Sequence, residues 1–559
     1  MSNTTYRVFV EKLGDSNPEQ FIGDKGELFY DPEGNSLRIS DGITPGGIAL
    51  GGGGGNHWVR PSDWLAMPDV LETEEKFVGL FAVFDAPENF IALYFEGDYT
   101  VDWGDGNVED FNSGDKAQHS YSWADIDANT LTTEGYRQVL VTVTPQAGQQ
   151  LSIMDLTVRH DIVNSNASSP WLDLAVSMPN AASGGSLRFC GYQFGINGNG
   201  YLYDVQRIHI VHAGGMTDFT ECFYSFTSLR SVIIDHSPSA DNFYFLFDSC
   251  YSLTDVVLSD TASVTNMNSM FSYCQVLTTV PQFDTASVTD MNNMFYNCSA
   301  LTTVPQFDTA KVENMSGTFS YCPALTTVPE FNTASVTNMN SMFNSCCALT
   351  TVPEFNTAKV MDMSSMFSSC YALTTVPEFN TALVTNMNYM FNGCYALTTV
   401  PEFNTALVQN MNSMFSSCSA LTTVPEFNTA SVTDMSGMFN SCYALTTVPE
   451  FNTASVTNMS YMFYGCYALT TVPEFNTASV TNMNGMFSSC YALQTAALNG
   501  TQVNIDYSNC LLGRDAIVDI FNGLGTASKT INISNNYGTA SLTQEDKDIA
   551  INKGWTIIT

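Results

Sequence analysis

Basic residues are scarce in this chain. Lys and Arg number 18 against 55 Asp and Glu in 559 residues, a formal net charge of −37. Phosphate backbones bind clustered cations, so this shortage argues against a nucleic-acid partner. Between positions 251 and 490 there is no Arg, and Lys311 and Lys359 stand alone beside 15 acids. No run of 18 apolar residues occurs, so no membrane insertion is expected. The opening MSNTTYRVFVEKLGDSN has no basic cap before an apolar stretch, and no secretion signal is expected there. Clustered metal ligands are also missing: only Cys346 and Cys347 adjoin among the 15 cysteines, and the six His lie elsewhere. Ser-His-Asp spacing, a phosphate loop and HExxH are absent too. No cofactor, resident metal or enzymatic activity is therefore expected.

What the chain does have is a period. Eleven cysteines sit 24 apart, from Cys250 through Cys274, Cys298, Cys322, Cys346, Cys370, Cys394, Cys418, Cys442 and Cys466 to Cys490. One unit reads LTTVPEFNTASVTNMSYMFYGCYA, Leu445 to Ala468. A strict period of this length means one supersecondary unit stacked on itself. The unvarying apolar set is Leu445, Val448, Phe451, Val456, Met459, Met462, Phe463 and Cys466. Ordering a residue costs about 1–2 kcal/mol in backbone entropy, which one 24-residue unit cannot recover by burial alone, so each coil must act as the lid of the next. The cysteines are expected to form a ladder of buried thiols, and the Met stripe to be core. LTTV reads as a short strand stopped by Pro449. Asn or Asp precedes each Met-x-x-Met-Phe, which reads as the N-cap of a one- to two-turn helix.

The expected fold is mainly β with short helices: a solenoid of 24-residue coils over 250–493, a C-terminal cap over 494–559 and divergent early coils over 161–249. Cys222-Phe223 echoes the repeat at an irregular spacing of 28 before Cys250. In the cap, Asp515 to Leu524 reads as a helix, Lys529 to Ser534 as a strand, and Thr543 to Asp546 as a capping box. Residues 57–160 alternate strands and turns in the manner of a β-sandwich. Tyr99 to Trp103 runs into Gly104-Asp105-Gly106, a hairpin signal. Asp102 and Asp105 could serve as calcium ligands, but an Asp-Gly hairpin needs no metal, and the turn is preferred. Residues 46–56 read as a Gly-rich linker, and 1–45 as short β runs too few for a core of their own.

Three resemblances follow from these segments. TASVTNMSYMFYGCYALTTV resembles BspA-like leucine-rich surface repeats, which implies a leucine-rich-repeat solenoid with short parallel strands on one face. YTVDWGDG, His119-Ser120-Tyr121 and VLVTVTP resemble a PKD-like domain, a spacer or adhesion module. FIGDKGELFYDPEGNSLRISDGITPGG resembles the N-terminal segment of tail-fibre and other virion proteins of marine phages, cyanophages in particular. That last resemblance implies docking of residues 1–45 to a virion baseplate, tail or other fibre protein, with a homotrimer as one arrangement. It also implies a tail-appendage location, after synthesis in the host cytoplasm.

The variable positions of the repeat use mostly Tyr, Ser, Asn and Gly, the alphabet of antibody loops. They point to recognition of a host surface glycan or protein. The candidate receptor-binding residues are Tyr273, Tyr296, Tyr321, Tyr371, Tyr389, Tyr395, Tyr443, Tyr461, Tyr464, Tyr467 and Tyr491. A second ladder, Glu330, Glu354, Glu378, Glu402, Glu426, Glu450 and Glu474, reads as a solvated acidic face. Of these, Glu378, Glu402, Glu426, Glu450 and Glu474 are the weak candidates for divalent-cation bridging. The competing readings are a structural fibre or head-decoration protein without a receptor, a polysaccharide depolymerase, and a bacterial surface adhesin.

Overall fold

The structure is a computed structural model that describes residues 28–31, 36–39, 48–50, 58–87, 89–162, 169–181, 186–189 and 204–559. Near the start, β1 (Leu28–Asp31), β2 (Ser36–Ile39) and β3 (Ile48–Leu50) form an antiparallel three-stranded sheet. The stretch read as a linker thus contributes a strand, Ile48-Ala49-Leu50. Its glycine run from Gly51 lies outside the described residues.

Two sheets follow. The strands are β4 (Lys76–Val83), β5 (Phe90–Glu96), β6 (Tyr99–Asp102), β7 (Val108–Phe111), β8 (Lys116–Ser120), β9 (Arg137–Pro145), β10 (Ile153–Asp155), β11 (Trp171–Ser177) and β12 (Ser186–Arg188). The smaller sheet has the order β12-β10-β5-β8. The larger has eight strands and continues into the first coils through β13 (Arg207–His212), β14 (Ser231–Ile234) and β15 (Asp255–Leu258). Its joint is β11, antiparallel to β4 (Leu174 opposite Gly79) and parallel to β13 (Leu174 opposite Ile208). The sandwich and the early coils, separable in the sequence, therefore share one sheet and one core. Gly79 permits the joint: a Cβ there would lie 2.2 Å from the Trp171 ring.

Residues 58–67 cross the other face of this sheet as a strap. Trp64 packs with Leu80, Ala82, Tyr136 and Leu172. The Arg60 guanidinium meets the buried Asp173 carboxylate at 2.7 Å, and Arg207 reaches the same carboxylate at 3.3 Å. Trp58 N–H donates to Asp255 Oδ2 at 2.8 Å, which ties the strap to β15.

The repeat departs from the sequence reading in both of its halves. The Met-x-x-Met-Phe segment is a run of tight turns, with no helix. Within a coil, alternate N–H groups bond three residues back, as in Met270 to Met267 O (3.3 Å) and Cys274 to Phe271 O (3.1 Å). The intervening N–H groups leave the coil: Met267 donates to Asp290 O, Ser269 to Asn292 O, Phe271 to Met294 O and Tyr273 to Tyr296 O, at 2.7–3.0 Å. A helix is excluded because every second peptide points along the stack. The expected N-cap residue keeps half of its role, since Asn266 Oδ1 accepts from Asn268 N–H at 3.0 Å and Asp290 Oδ1 from Asn292 N–H at 2.8 Å. The expected LTTV strand is also reduced. Between β15 and β16 (Thr471–Asn476) no coil has an assigned strand, and β16 pairs with β17 (Thr495–Asn499). The inter-coil β-bridges fall instead on the Asn and Asp positions, as in Asn266 with Asp290 and Asp290 with Asn314.

The core of each coil is as expected. Val, both Met (the second is Thr318 in one coil), Phe, Cys and Leu are buried, and successive phenylalanines stack, as in Phe367 on Phe391 at 5.7 Å and Phe391 on Phe415 at 5.6 Å. The thiols do more than fill space. Cys394 Sγ donates to Phe367 O of the preceding coil at 3.1 Å, and the same contact recurs from Cys250 to Cys490 at 3.0–3.3 Å. Burial pushes these thiols up, Cys322 to about 12, so they stay protonated donors. The register also runs further back than the cysteines indicate. Asp218 bridges Asn242, and Phe226 N–H bonds Phe223 O as Cys250 bonds Phe247. Phe226 therefore takes the cysteine rung, Cys222 takes a methionine rung, and the apparent spacing of 28 disappears into the period of 24.

The C-terminal cap contains β18 (Ile505–Asp506), α1 (Arg514–Gly523), β19 (Thr530–Asn532), α2 (Gln544–Ile551) and β20 (Thr556–Ile558). The capping box on α2 is present, with Asp546 N–H donating to Thr543 Oγ1 and Thr543 N–H to Asp546 Oδ2. Tyr507 stacks on Phe487 at 4.9 Å and ends the aromatic column.

Candidate binding surface

Two positions in each coil have a left-handed backbone. The first lies between the methionine rungs: Ser269, Asn293, Gly317, Ser341, Ser365, Tyr389, Ser413, Gly437, Tyr461 and Gly485 have φ between 52° and 65°. The second directly precedes Cys and includes Tyr273, Tyr321, Ser345 and Gly393. Gly and Asn suit this conformation, and other residues are held there at a cost of about 1–2 kcal/mol. Much of the Ser, Asn and Gly alphabet is thus explained by the turn ladder without a ligand. The tyrosines are not: Tyr389 and Tyr461 both sit at φ 57°. Tyr461 leans over the next coil, where a Cβ on Gly485 would come within 2.6 Å of its ring.

The structure sorts the eleven candidate tyrosines into separate groups. Tyr273, Tyr296 and Tyr321 make an edge-to-face chain with centroids 5.4 and 5.5 Å apart. Burial, with Tyr273 beside it, pushes the Tyr296 hydroxyl up. Tyr371 and Tyr395, each following a Cys, stack at 4.9 Å and 11°. Tyr443 and Tyr467 stack at 4.9 Å and 5°, and Tyr467 and Tyr491 at 5.6 Å and 14°. These five side chains are 42–56% exposed in spite of the stacking. Tyr461 and Tyr464 form a separate exposed pair at 5.9 Å, and Tyr389 is exposed as well. The post-cysteine tyrosines carry no left-handed backbone, so no local conformational demand accounts for them.

The glutamates border a different feature. An open groove of about 760 Å³ is lined by Glu330, Glu354, Glu378 and Glu402 with Phe355, Phe379, Asn356, Asn380 and Asn404. It adjoins a second groove of about 630 Å³ that reaches Gln306 and Asp308. Among the described residues no group of three or more His, Cys, Asp or Glu side chains is placed to hold a metal ion. Sequence reasoning missed the groove asparagines, although their recurrence in PEFN beside each glutamate was the available signal. In the sandwich, Asp102 Oδ1 accepts from Gly104 N–H at 3.0 Å and Asp105 Oδ1 from Asn107 N–H at 3.0 Å. The other Asp105 oxygen meets His119 Nε2 at 2.7 Å, so both aspartates act in the turn.

Residues 241–500 match the family model described as "Mycoplasma protein of unknown function, DUF285". The match comes as five overlapping stretches, 241–351, 301–401, 322–423, 347–445 and 395–500. It fits the reading of the array as leucine-rich-repeat-type, BspA-like coils. No curated protein matches. Among solved structures, a leucine-rich repeat protein from Eubacterium ventriosum is 16% identical, covering 57% of this chain and 90% of its own, with a TM-score of 0.30. The Treponema pallidum leucine-rich repeat protein is 18% identical, covering 36% and 83%, with a TM-score of 0.22. The functional domain of InlJ from Listeria monocytogenes, described as including a cysteine ladder, is 12% identical, covering 59% and 70%, with a TM-score of 0.19.

Proposed function

We propose that this chain is a receptor-binding adhesin carried on a virion, attached through residues 1–45 and recognising a host surface molecule through its solenoid. The observation that carries the recognition half is the exposed post-cysteine tyrosine edge on a stiff, capped stack. Tyrosine supplies large contact area with little side-chain entropy to lose. The acidic balance suits a particle in salty medium, where screening weakens self-repulsion. The virion half rests on the N-terminal resemblance, which also makes tail fibre the preferred location. The PKD-like segment is assigned the part of a spacer between the two.

The test is adsorption of the labelled full chain to a panel of bacteria, including marine cyanobacteria. Changing Tyr371, Tyr395, Tyr443 and Tyr467 together to Ser should reduce adsorption at least tenfold while melting stays cooperative. Equal adsorption by the folded variant would remove the solenoid from recognition. Gold-labelled antibody on purified particles separates a tail appendage from head decoration, and labelling of uninfected cell surfaces would favour a bacterial adhesin.

Catalysis is not part of this reading, because the repeat acids recur on every coil and define no unique pair. The observation favouring a depolymerase is Glu221 with Asp248, both pushed up by burial, Glu221 also by the charge of Asp248. Release of new reducing ends from host polysaccharide would establish that reading.

A further inference from the structure

The post-cysteine edge holds two tyrosine stacks and one interruption. Tyr371 and Tyr395 form the first stack, and Tyr443, Tyr467 and Tyr491 the second. Between them, on the single intervening coil, stands Ser419. Within each stack the rings are within 14° of parallel, so they cover one another's faces and present edges and hydroxyls outward. A flat ligand cannot lie on a face that is already occupied. Four faces lack a stacked tyrosine, the outer sides of Tyr371 and Tyr491 and the sides of Tyr395 and Tyr443 toward Ser419, and of these the last two face each other across one coil. They are separated by two coil steps where neighbouring stacked rings are separated by one.

We propose that the Ser419 gap is a one-ring slot that takes a single pyranose of a surface glycan between Tyr395 and Tyr443. This rests on the reading of the post-cysteine edge as the recognition surface, and names its ligand class. The rings beside the gap stack on their neighbours at 4.9 Å, Tyr395 on Tyr371 and Tyr443 on Tyr467, so a guest midway in the gap has about that distance to either tyrosine. Aromatic rings stack at this centroid spacing too, as the tyrosines themselves do, so what favours a sugar is the polar floor and the sugar's own C–H bonds. A puckered sugar ring projects C–H bonds from both faces. Those polarised hydrogens meet the electron-rich faces of both rings. The floor is polar and partly committed: Ser419 Oγ donates to Tyr395 O at 3.3 Å, which leaves its lone pairs to accept from a sugar hydroxyl.

The array contains its own control. Ser299 occupies the same position and makes the same bond, to Gln275 O at 3.0 Å. Its neighbours along the edge are Gln275 and Pro323, so it has the floor without the walls.

The experiment is saturation-transfer NMR on the full chain with the methyl pyranosides of glucose, galactose, mannose and N-acetylglucosamine, and p-cresol as the aromatic probe. At least one pyranoside should receive saturation. Ser419→Tyr, which completes the column, should weaken it at least tenfold without lowering the melting temperature, and Ser299→Tyr should leave it unchanged. If Ser419→Tyr does not fold, Tyr443→Ser removes one wall and should give the same loss. Undiminished pyranoside binding in either folded variant, no pyranoside binding in the parent, or binding of p-cresol alone overturns the slot. Cell adsorption measured in parallel separates the two readings. Tyrosine-dependent adsorption without pyranoside binding refutes the slot and leaves the adhesin. Slot-dependent pyranoside binding with adsorption to no cell supports the slot and refutes the adhesin.

Discussion

The coils at the two ends of the solenoid and those in its middle are built on one period, yet they bond to their neighbours differently. At the N-terminal end β13, β14 and β15 pair residue for residue, as in Val232 with Val256 and Ile233 with Val257. In the middle the same side of the coil has one backbone bond per step at most, such as Thr302 N–H to Thr278 O at 3.0 Å or Thr326 N–H to Thr302 O at 3.4 Å. The difference follows proline in all but one coil. The β13, β14, β15 and β17 segments have none, and Pro281 to Pro449 recur at every coil without an assigned strand, whereas β16 contains Pro473 and pairs with β17 across a register break between Val472 and Phe475. Proline has no N–H to give a ladder. One side-chain bond along the stack is common to ends and middle: Thr405 Oγ1, fully buried, donates to Asn428 O of the next coil at 2.9 Å, as Thr261 does to Asp284 O and Thr477 to Asn499 O. The turn ladder on the opposite side is the same in every coil from Phe219 to Met459. The strand side is therefore the adjustable part of the coil and the turn side the fixed part.

The largest way to break this comparison is alkaline titration. Rung thiols are held protonated in the fold, Cys322 to about 12, while an unfolded thiol titrates near 8.5. Above about pH 8.5 the unfolded chain releases protons that the folded chain keeps. Stability contributed by the thiols is thus complete below that pH and falls as pH rises toward the folded value. The loss is about 1.4 kcal/mol per pH unit for each rung, summed over the array. The sandwich has no cysteine before residue 190. Its buried Tyr99, pushed up to about 12, begins to count only above about pH 10, where an unfolded tyrosine titrates. Amide hydrogen exchange between pH 8.5 and 10, corrected for intrinsic rate, should show middle coils opening before β4 and β9. Simultaneous opening would contradict the thiol ladder as the weak element.

A smaller effect tests the threonine bond along the stack. Thr405→Ala removes the donor to the Asn428 carbonyl and should cost about 0.5–1.5 kcal/mol, read as a lower urea midpoint. A change below a few tenths would mean that water or backbone replaces the hydroxyl. The smallest effect sharpens the comparison. Pro401→Val returns an N–H to a middle coil and should shift stability by less than about 1 kcal/mol in either direction. The new amide at position 401 should still be protected from exchange if proline alone prevents the strand.

The period, the buried rungs and the cap were legible in the sequence because each has a local chemical signature, as Thr543 with Asp546 does for α2. The turn ladder was hidden because Met-x-x-Met-Phe spacing suits a helix and a run of turns equally. Its available signal was the Ser, Asn and Gly between the methionines, which a helix has no reason to prefer but a left-handed residue does. Cys222 misled because residue identity was matched in place of position: Phe226 holds the rung and Cys222 the methionine site. The strap was unreadable, since Trp58 and Asp255 are 197 residues apart. The candidate tyrosines were found singly. Their grouping depends on which side chains face each other across coils, and that requires knowing that one post-cysteine position follows the next at 4.9 Å.

In each coil from Phe219 to Met459, four peptides send their N–H toward the C-terminal end and receive at their C=O from the coil before. Fewer N–H groups in each middle coil point back, as Thr289 to Thr265 O does, so the dipoles of the four add along the stack where those of a parallel sheet largely cancel. The solenoid is in that sense a permanently polarised rod. Its positive pole lies at the C-terminal cap and its negative pole at the sandwich, a field that adds to that of the formal charges without depending on pH.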